Sequence, residues 1–485
     1  MTQEYLNYIN GEWVPARSGR TFENINPADT SDIVGVHPES DREDTIAAIE
    51  AAEAAFAEWS RWEPPRRGKI LFKAAQILES RAEEVGRLLT REEGKTLKEG
   101  IGETLRTVEL LEFFGGEARR LTGETFPSQQ PGTFLYTIRE PLGVVGLITP
   151  WNFPIAIPAW KALPALIAGN TVVLKPASLA PISACQLVKA LEEAGLPPGV
   201  LNLVTGPGRT VGEELATNPK VKAVSFTGSN AVGTRLYDVV SSRGAKCQCE
   251  MGGKNPIIVL EDADLDRAVE FTVAGAMWST GQKCTATSRA IVLKPVVREF
   301  TEKLVERVRR LKVGNGLDPS VEIGPAIDEA ALKNILNYIE IGKAEGAKLL
   351  CGGERLTGGD YDKGYFVQPT VFGDVHPQMR IAQEEIFGPV VGIIAVDSFE
   401  EAIEVANNVR YGLSASIVTN DLKRAFQYIH SIQAGIVHVN GQTAGAEVQV
   451  PFGGYKGSST GTREQGHVAI EFYTQIKTVY LHHNP

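Results

Sequence analysis

The chain has 485 residues, 43% hydrophobic and 22% charged, which is more than one compact core accommodates and enough for two or three domains. A formal net charge of −10, with no long run of Lys or Arg, excludes a surface that tracks a phosphate backbone, so nucleic acid is not an expected partner. The five cysteines contain no C-x-x-C pair and are odd in number, which argues against a disulfide framework or a zinc cluster and predicts free thiols and no metal.

The first residues, MTQEYLNYINGEWVPARSG, lack a charged region followed by an apolar one, so no secretory signal is expected and a cytoplasmic location is. Residues 41–62 place Ile46, Ile49, Phe56 and Trp59 at helical spacing, and 66–120 read on as helix with charged outer faces. Between 119 and 143, Gly and Pro break the helix, and the alternation in TFLYTIRE predicts a protruding strand pair completed by another subunit. From about 142, the runs GVVGLIT, NTVVLKP, GVLNLVTG, KAVSFTGS and NPIIVLE alternate with helix-length segments. That pattern predicts a parallel sheet covered on both faces. The apolar stretches 142–149 and 162–174 are broken before the roughly 20 residues that a membrane span requires. A second set of α/β signals runs from about 256 to 440, and a Gly-rich tail ends in the strand-like IKTVYL.

Two segments carry chemistry. In SSRGAKCQCEMGGK (241–254), a strand over 245–250 puts Cys247 and Cys249 on one face and Glu250 on the other, and the glycines that follow let a ligand come close. In GQKCTATSR (281–289), Cys284 sits in a polar loop beside a lysine, where something can reach its sulfur.

With TPWNFP, LKPAS, SFTGSNAVG, EEIFGP and PFGGYKGS, these segments stand in the order and approximate spacing of the aldehyde dehydrogenase superfamily, which the chain resembles over its whole length. The resemblance implies an α/β fold with two parallel-sheet, Rossmann-like domains and a β-strand oligomerisation arm. The cofactor domain would be 1–118 with 142–252, the catalytic domain 253–445, and the arm and tail 119–141 with 446–485. It implies a homodimer or homotetramer and oxidation of an aldehyde with NADP or NAD. Cys284 would be the nucleophile, Asn152 with the Cys284 N–H the oxyanion donors, and Glu250 the base that activates water.

No G-x-G-x-x-G opens a helix, so the usual dinucleotide fingerprint is absent. The family resemblance instead assigns Gly228, Ser229 and Gly233 to the pyrophosphate, Lys175 to the adenosine ribose, Glu385 and Phe387 to the nicotinamide riboside, and Trp151 to the cofactor wall. Many NAD-preferring relatives carry a glutamate three residues after the lysine; here that residue is Ser178, which does not repel a 2′-phosphate. Phe153, Trp160, Trp278, Thr285 and Phe452 would line the substrate tunnel. The succinic semialdehyde branch has arginines at the positions aligned with Trp160 and Trp278, so its carboxylate clamp is missing. The tail VPFGGYKGSSTGTREQG and WSTGQKCTATSR are most similar to the α-ketoglutarate semialdehyde (2,5-dioxopentanoate) branch. A distal carboxylate would then rely on neutral donors such as Thr285, Gln442 and Thr443. Broad or aromatic aldehydes are the alternative, and a cofactor-independent cysteine hydrolase is the alternative of another class, for which no histidine stands in a partner motif.

Overall fold

The computed structural model describes residues 3–483. Four short strands precede the first helix, an opening that the helical pattern of 41–62 did not announce. Helix Arg42–Trp59 starts at a capping box between Asp41 and Asp44 and buries Ile49 and Trp59. The stretch expected as one helix is three, Pro64–Glu79, Ala82–Glu93 and Leu97–Glu117, because Gly94 closes one in the left-handed region and Thr96 with Glu99 caps the next.

The first sheet has eight strands, with five parallel ones at its centre in the order Leu201–Leu203, Thr171–Lys175, Val144–Ile148, Val221–Thr227 and Lys246–Glu250. The N-terminal hairpin, strands Asn7–Ile9 and Glu12–Val14, closes one edge, and Ser459–Thr460 closes the other, antiparallel to Cys249 and Glu250. The strand order reverses between Val144–Ile148 and Val221–Thr227. Ligands of open α/β sheets bind outside the carboxyl ends at such a reversal. The loops that leave these ends carry Trp151, Asn152, Gly228 and Ser229.

The second sheet has seven strands, all within residues 348–439 or 255–293, and only Lys348–Cys351 runs antiparallel to its neighbour. Its central strands are buried on both faces: Ile258 and Ile291 pack into one core, Ile257, Val259, Ala290 and Val292 into another. Cys284 and Glu385 lie just before strands Thr287–Leu293 and Val390–Val396, so the amino ends of this sheet face the carboxyl ends of the first.

The arm departs from expectation. Strand Thr133–Pro141 pairs along its length with Thr474–His482 of the same chain and on its other side with Thr125–Phe126. The chain therefore completes the strand pair itself, and Thr474–His482 forms the longer of the two edges, with Ile476 and Tyr480 63% and 64% exposed. The tail before it pairs Tyr455–Lys456 with Tyr411–Gly412 in a separate two-stranded sheet, just ahead of strand Ser414–Val418 of the second sheet, and Ser459–Thr460 with the first sheet, so it bridges the two. Among the described residues no helix is long and apolar enough to cross a membrane, and no cluster of His, Cys, Asp and Glu could hold a metal.

Candidate active site

A cavity of about 580 Å³ opens where the two sheets face each other. Its wall includes Cys284, Thr285, Asn152, Trp151, Phe153, Trp160, Phe452, Gly228, Ser229, Glu385 and Phe387, but no histidine. Residues that sequence reasoning drew from five separate segments, with Trp160, are thus brought together, whereas Glu250, Lys175 and Ser178 stand outside this wall.

Cys284 is half-buried in a loop that follows the tight turn Trp278–Gly281. Ser279 and Thr280 in that turn are left-handed, a costly conformation for a β-branched residue, and side-chain bonds hold it. Glu99 Oε1 accepts from the Ser279 N–H (2.7 Å) and Oγ (3.0 Å), and Thr280 Oγ1 donates to the Gly324 carbonyl. Asn255 Nδ2 donates to the carbonyls of Cys284 and Ala286, both at 2.8 Å. The Gly-Gly pair after Glu250 makes room for the protein itself. A Cβ on Gly252 would lie 2.2 Å from the Glu385 carboxylate, and one on Gly253 2.3 Å from the Cys284 carbonyl. Lys283 turns inward, donates to the Ala274 carbonyl, and is brought down to about 8 by burial. Burial, with Glu385 and Glu250 nearby, pushes the Cys284 thiol up, so it rests protonated at neutral pH.

Asn152 spends one amide hydrogen on the Gln282 carbonyl (3.0 Å), leaving a second N–H on a residue that lines the cavity. Its own carbonyl accepts from Lys95 Nζ at 2.8 Å, and Lys95 also donates to Glu103 Oε2 at 2.7 Å. Glu103 in turn accepts through Oε1 from the N–H groups of Ile155 and Ala156, which open the next helix. This buried pair fixes the Asn152 loop from beneath. Nothing in EEGKTLKEGIGE marks Lys95 and Glu103 as other than a solvated charge run, and sequence reasoning missed both.

Glu250 ends its strand at 2% exposure, where Oε2 accepts from Ser459 Oγ at 2.5 Å and Oε1 has no partner among the described residues. Burial and the Glu464 carboxylate hold its carboxyl well above the usual range. Glu464 is itself paired with Lys161 and accepts from the Trp160 indole N–H at 2.8 Å. Trp160 therefore serves as a polar anchor as well as an aromatic wall, its ring 5.5 Å from that of Phe452. Trp278 behaves differently. It is 41% exposed and stands outside the cavity wall, because the turn that carries Ser279 inward points it outward.

On the cofactor side, Ser229 starts helix Asn230–Ser242 without a side-chain cap, so the N–H groups of its first turn are free. Gly233 lies a turn further on, against Met251, whose Sδ a Cβ would meet at 2.6 Å; it is a packing glycine and does not line the cavity. Lys175, buried and brought down to about 8, bonds only to the Pro176 carbonyl, and Ser178 Oγ donates to the Gly206 carbonyl at 3.2 Å. At the opposite end Glu385 is pushed up to about 7 by burial and accepts from the Gly253 N–H, and Phe387 meets Trp151 edge-on at 5.4 Å. Free helix N–H groups, a buried lysine, a carboxylate and an aromatic slot fit a dinucleotide.

A fold that faces two α/β sheets across such a cysteine, amide and carboxylate defines an oxidoreductase site, and the aldehyde dehydrogenase family profile matches residues 13–479; the chain belongs to this family. It is 51% identical over 477 residues to a Bacillus subtilis protein named α-ketoglutaric semialdehyde dehydrogenase, covering 98% of each chain. It is 49% identical over 481 residues, 99% of each chain, to an α-ketoglutarate semialdehyde dehydrogenase of Haloferax volcanii. Among solved structures, an NAD-dependent aldehyde dehydrogenase from Sinorhizobium meliloti superposes with a TM-score of 0.97 at 36% identity, over 99% of this chain and 95% of that one. An E. coli NADP-dependent enzyme does so with 0.95 at 38%, over 99% and 98%.

Proposed function

We propose that this enzyme oxidises α-ketoglutarate semialdehyde to α-ketoglutarate with NAD or NADP. The observation that carries the chemistry is the convergence of Cys284 and the Asn152 amide on one cavity, with Glu250 just before the wall residues Met251 and Gly252 and close enough to Cys284 to raise its thiol; the named relatives support the substrate. The Cys284 thiol must lose its proton as Sγ attacks the aldehyde carbon; Glu250 Oε1, with no partner, is the lone pair we assign to receive it. The resulting oxyanion is held by the second Asn152 N–H. The bound nicotinamide supplies the acceptor for the hydride that leaves this carbon. Cys284 then carries a thioester. Glu250 passes the first proton to solvent, takes another from water as the C–O bond forms, and returns it to the sulfur as the C–S bond breaks, which frees the acid and the thiol. The residues that we assign to the cofactor are Lys175, Ser178, Gly228, Ser229, Glu385, Phe387 and Trp151, with Ser178 leaving room for a 2′-phosphate. An aldehyde panel followed at 340 nm with each cofactor tests this; no rate on the keto-semialdehyde would overturn the substrate.

A second reading, aromatic aldehydes, is favoured by the wall of Phe153, Trp160 and Phe452. The domain division given above is retained as our reading, supported by the two sheets and by a tail that joins them. We further infer a homo-oligomer built on the exposed edge Thr474–His482, which light scattering tests, and a cytoplasmic setting, consistent with five free cysteines.

A further inference from the structure

The helix Leu97–Glu117 turns Glu99, Glu103 and Arg106 toward the cavity at helical spacing, below Lys95. Three of these four charges are closed. Glu99 accepts from Ser279 through Oε1 and from Thr96 through Oε2; Glu103 and Lys95 hold each other, the Asn152 carbonyl and two helix N–H groups. Arg106 is not closed. Its Nη2 makes a long bond to Gln465 Oε1 (3.4 Å), and Nη1 stands 4.0 Å from Glu109, a largely solvated partner. A guanidinium has five N–H groups, so most of its donor capacity is unspent. Burial holds it below its ordinary pKa, since Glu109 and Glu447 offset little of the desolvation.

Gln465 supplies the second observation. It is fully buried, it lines the same cavity, and its Nε2 has no partner. A buried amide N–H without an acceptor costs about 1–3 kcal/mol, which a ligand oxygen removes. The rest of the nearby wall is aromatic or aliphatic: Phe153, Ile157, Trp160 and Phe452. Of the neutral donors expected from the sequence, Thr285 lines the cavity beside Cys284, but the other two are not placed to serve. Thr443 is spent on Thr287 Oγ1 and the Thr285 carbonyl, and Gln442 lies outside the cavity wall.

We propose that Arg106 and Gln465 form the receptor for the distal carboxylate of the substrate, so that the enzyme selects aldehydes whose far end is an anion. The inference rests on the aldehyde oxidation proposed above and names the residues that set its substrate class. Arg106 offers two parallel N–H groups to a carboxylate, Gln465 adds a third, and the aromatic walls pack the carbons between it and Cys284.

The test compares α-ketoglutarate semialdehyde with pentanal, which has the same number of carbons and no carboxylate. In Arg106→Met the ratio of their kcat/KM values should fall about 100-fold, mostly through KM for the acid substrate, and Arg106→Lys should restore part of it. Arg106→Gln, which keeps donors without charge, serves if the Met variant does not fold. Glutarate should inhibit pentanal oxidation competitively, with an inhibition constant at least ten times weaker in the variants. A ratio within threefold of the wild type, or equal glutarate inhibition in all forms, overturns the receptor. Failure of the parent reading is distinct: a wild-type enzyme without activity on the keto-semialdehyde rejects that substrate, and glutarate inhibition still decides whether Arg106 binds carboxylate.

Discussion

Replacing Lys95 by Met probes how the Asn152 donor is held. Lys95 and Glu103 are 2% and 5% exposed, and the burial that pulls Lys95 down is outweighed by Glu103 and Glu93, so its ammonium is held above the usual value. Met keeps the volume but leaves the Glu103 carboxylate without a countercharge and the Asn152 carbonyl without its donor. Breaking one side of a buried pair costs about 3–5 kcal/mol, with about 1 kcal/mol more for the carbonyl. At roughly 2–4 °C per kcal/mol for domains of this size, Tm should drop by about 8–24 °C. The catalytic cost is bounded by that of losing one oxyanion donor, about 10²–10³ in kcat, and displacement without removal should cost about 10 to 10². Lys95→Met with Glu103→Gln removes both charges and should recover more than half of the Tm loss. Differential scanning fluorimetry with steady-state kinetics reads both quantities. A single variant within 2 °C of the wild type, with kcat within twofold, would refute the idea that this pair holds the Asn152 loop.

Other outcomes follow from the same geometry. Cys284→Ala should have no dehydrogenase activity, whereas Glu250→Gln, which lacks the assigned base in both half-reactions, should give a slowed stopped-flow burst of reduced cofactor and then stall at the thioester; a normal steady-state rate in Cys284→Ala would end this mechanism. Because Glu250 is raised by burial and Glu464, thioester hydrolysis in the wild type should still be speeding up with pH above the usual carboxylate range, which single-turnover traces at several pH values check. Ser178→Glu should weaken NADP by roughly 10 to 100-fold, at about 1.4 kcal/mol per decade, and NAD much less; equal losses mean that residue 178 does not face the ribose. His37 is fully buried, stacked between Tyr5 and Phe22 with neither ring nitrogen bonded, and brought down by burial from 6.5 to about 3. It is neutral in both states above pH 6.5, where its contribution is intact. Below that the unfolded chain gains a proton that the folded one refuses, so stability falls by up to about 1.4 kcal/mol per pH unit toward pH 3. His37→Phe should flatten urea midpoints between pH 7 and 5, and unchanged slopes would reject this.

Strands were legible where apolar runs alternate with helices, because a parallel sheet buried on both faces leaves no other composition. That Cys284 and Asn152 meet at one cavity was legible because their loops carry unusual residues in a family order. Lys95, Glu103, Arg106, Lys161, Glu464 and Gln465 were not. On a helix such as Leu97–Glu117 a charged residue facing the cavity and one facing solvent have the same local spacing, and only tertiary packing separates them. Trp278 shows the converse: its neighbours in sequence enter the site, but two left-handed residues after it turn the chain, a geometry with no composition cue in WSTGQ. The arm was read correctly as strands but not in its pairing, since TFLYTIRE and IKTVYL are more than 300 residues apart and alternation says nothing about which edge meets which.

The tail that crosses between the sheets also imposes an order in time. Ser459, which donates to Glu250, and Glu464, which raises its pKa, are made after both sheets. Domains generally fold from the N-terminus during synthesis. A nascent chain therefore holds Cys284 and Glu250 before the residues that orient and tune Glu250 have been made, and its carboxylate takes its final setting only when residues 451–465 dock. The enzyme becomes able to turn over only as one of its last acts of folding.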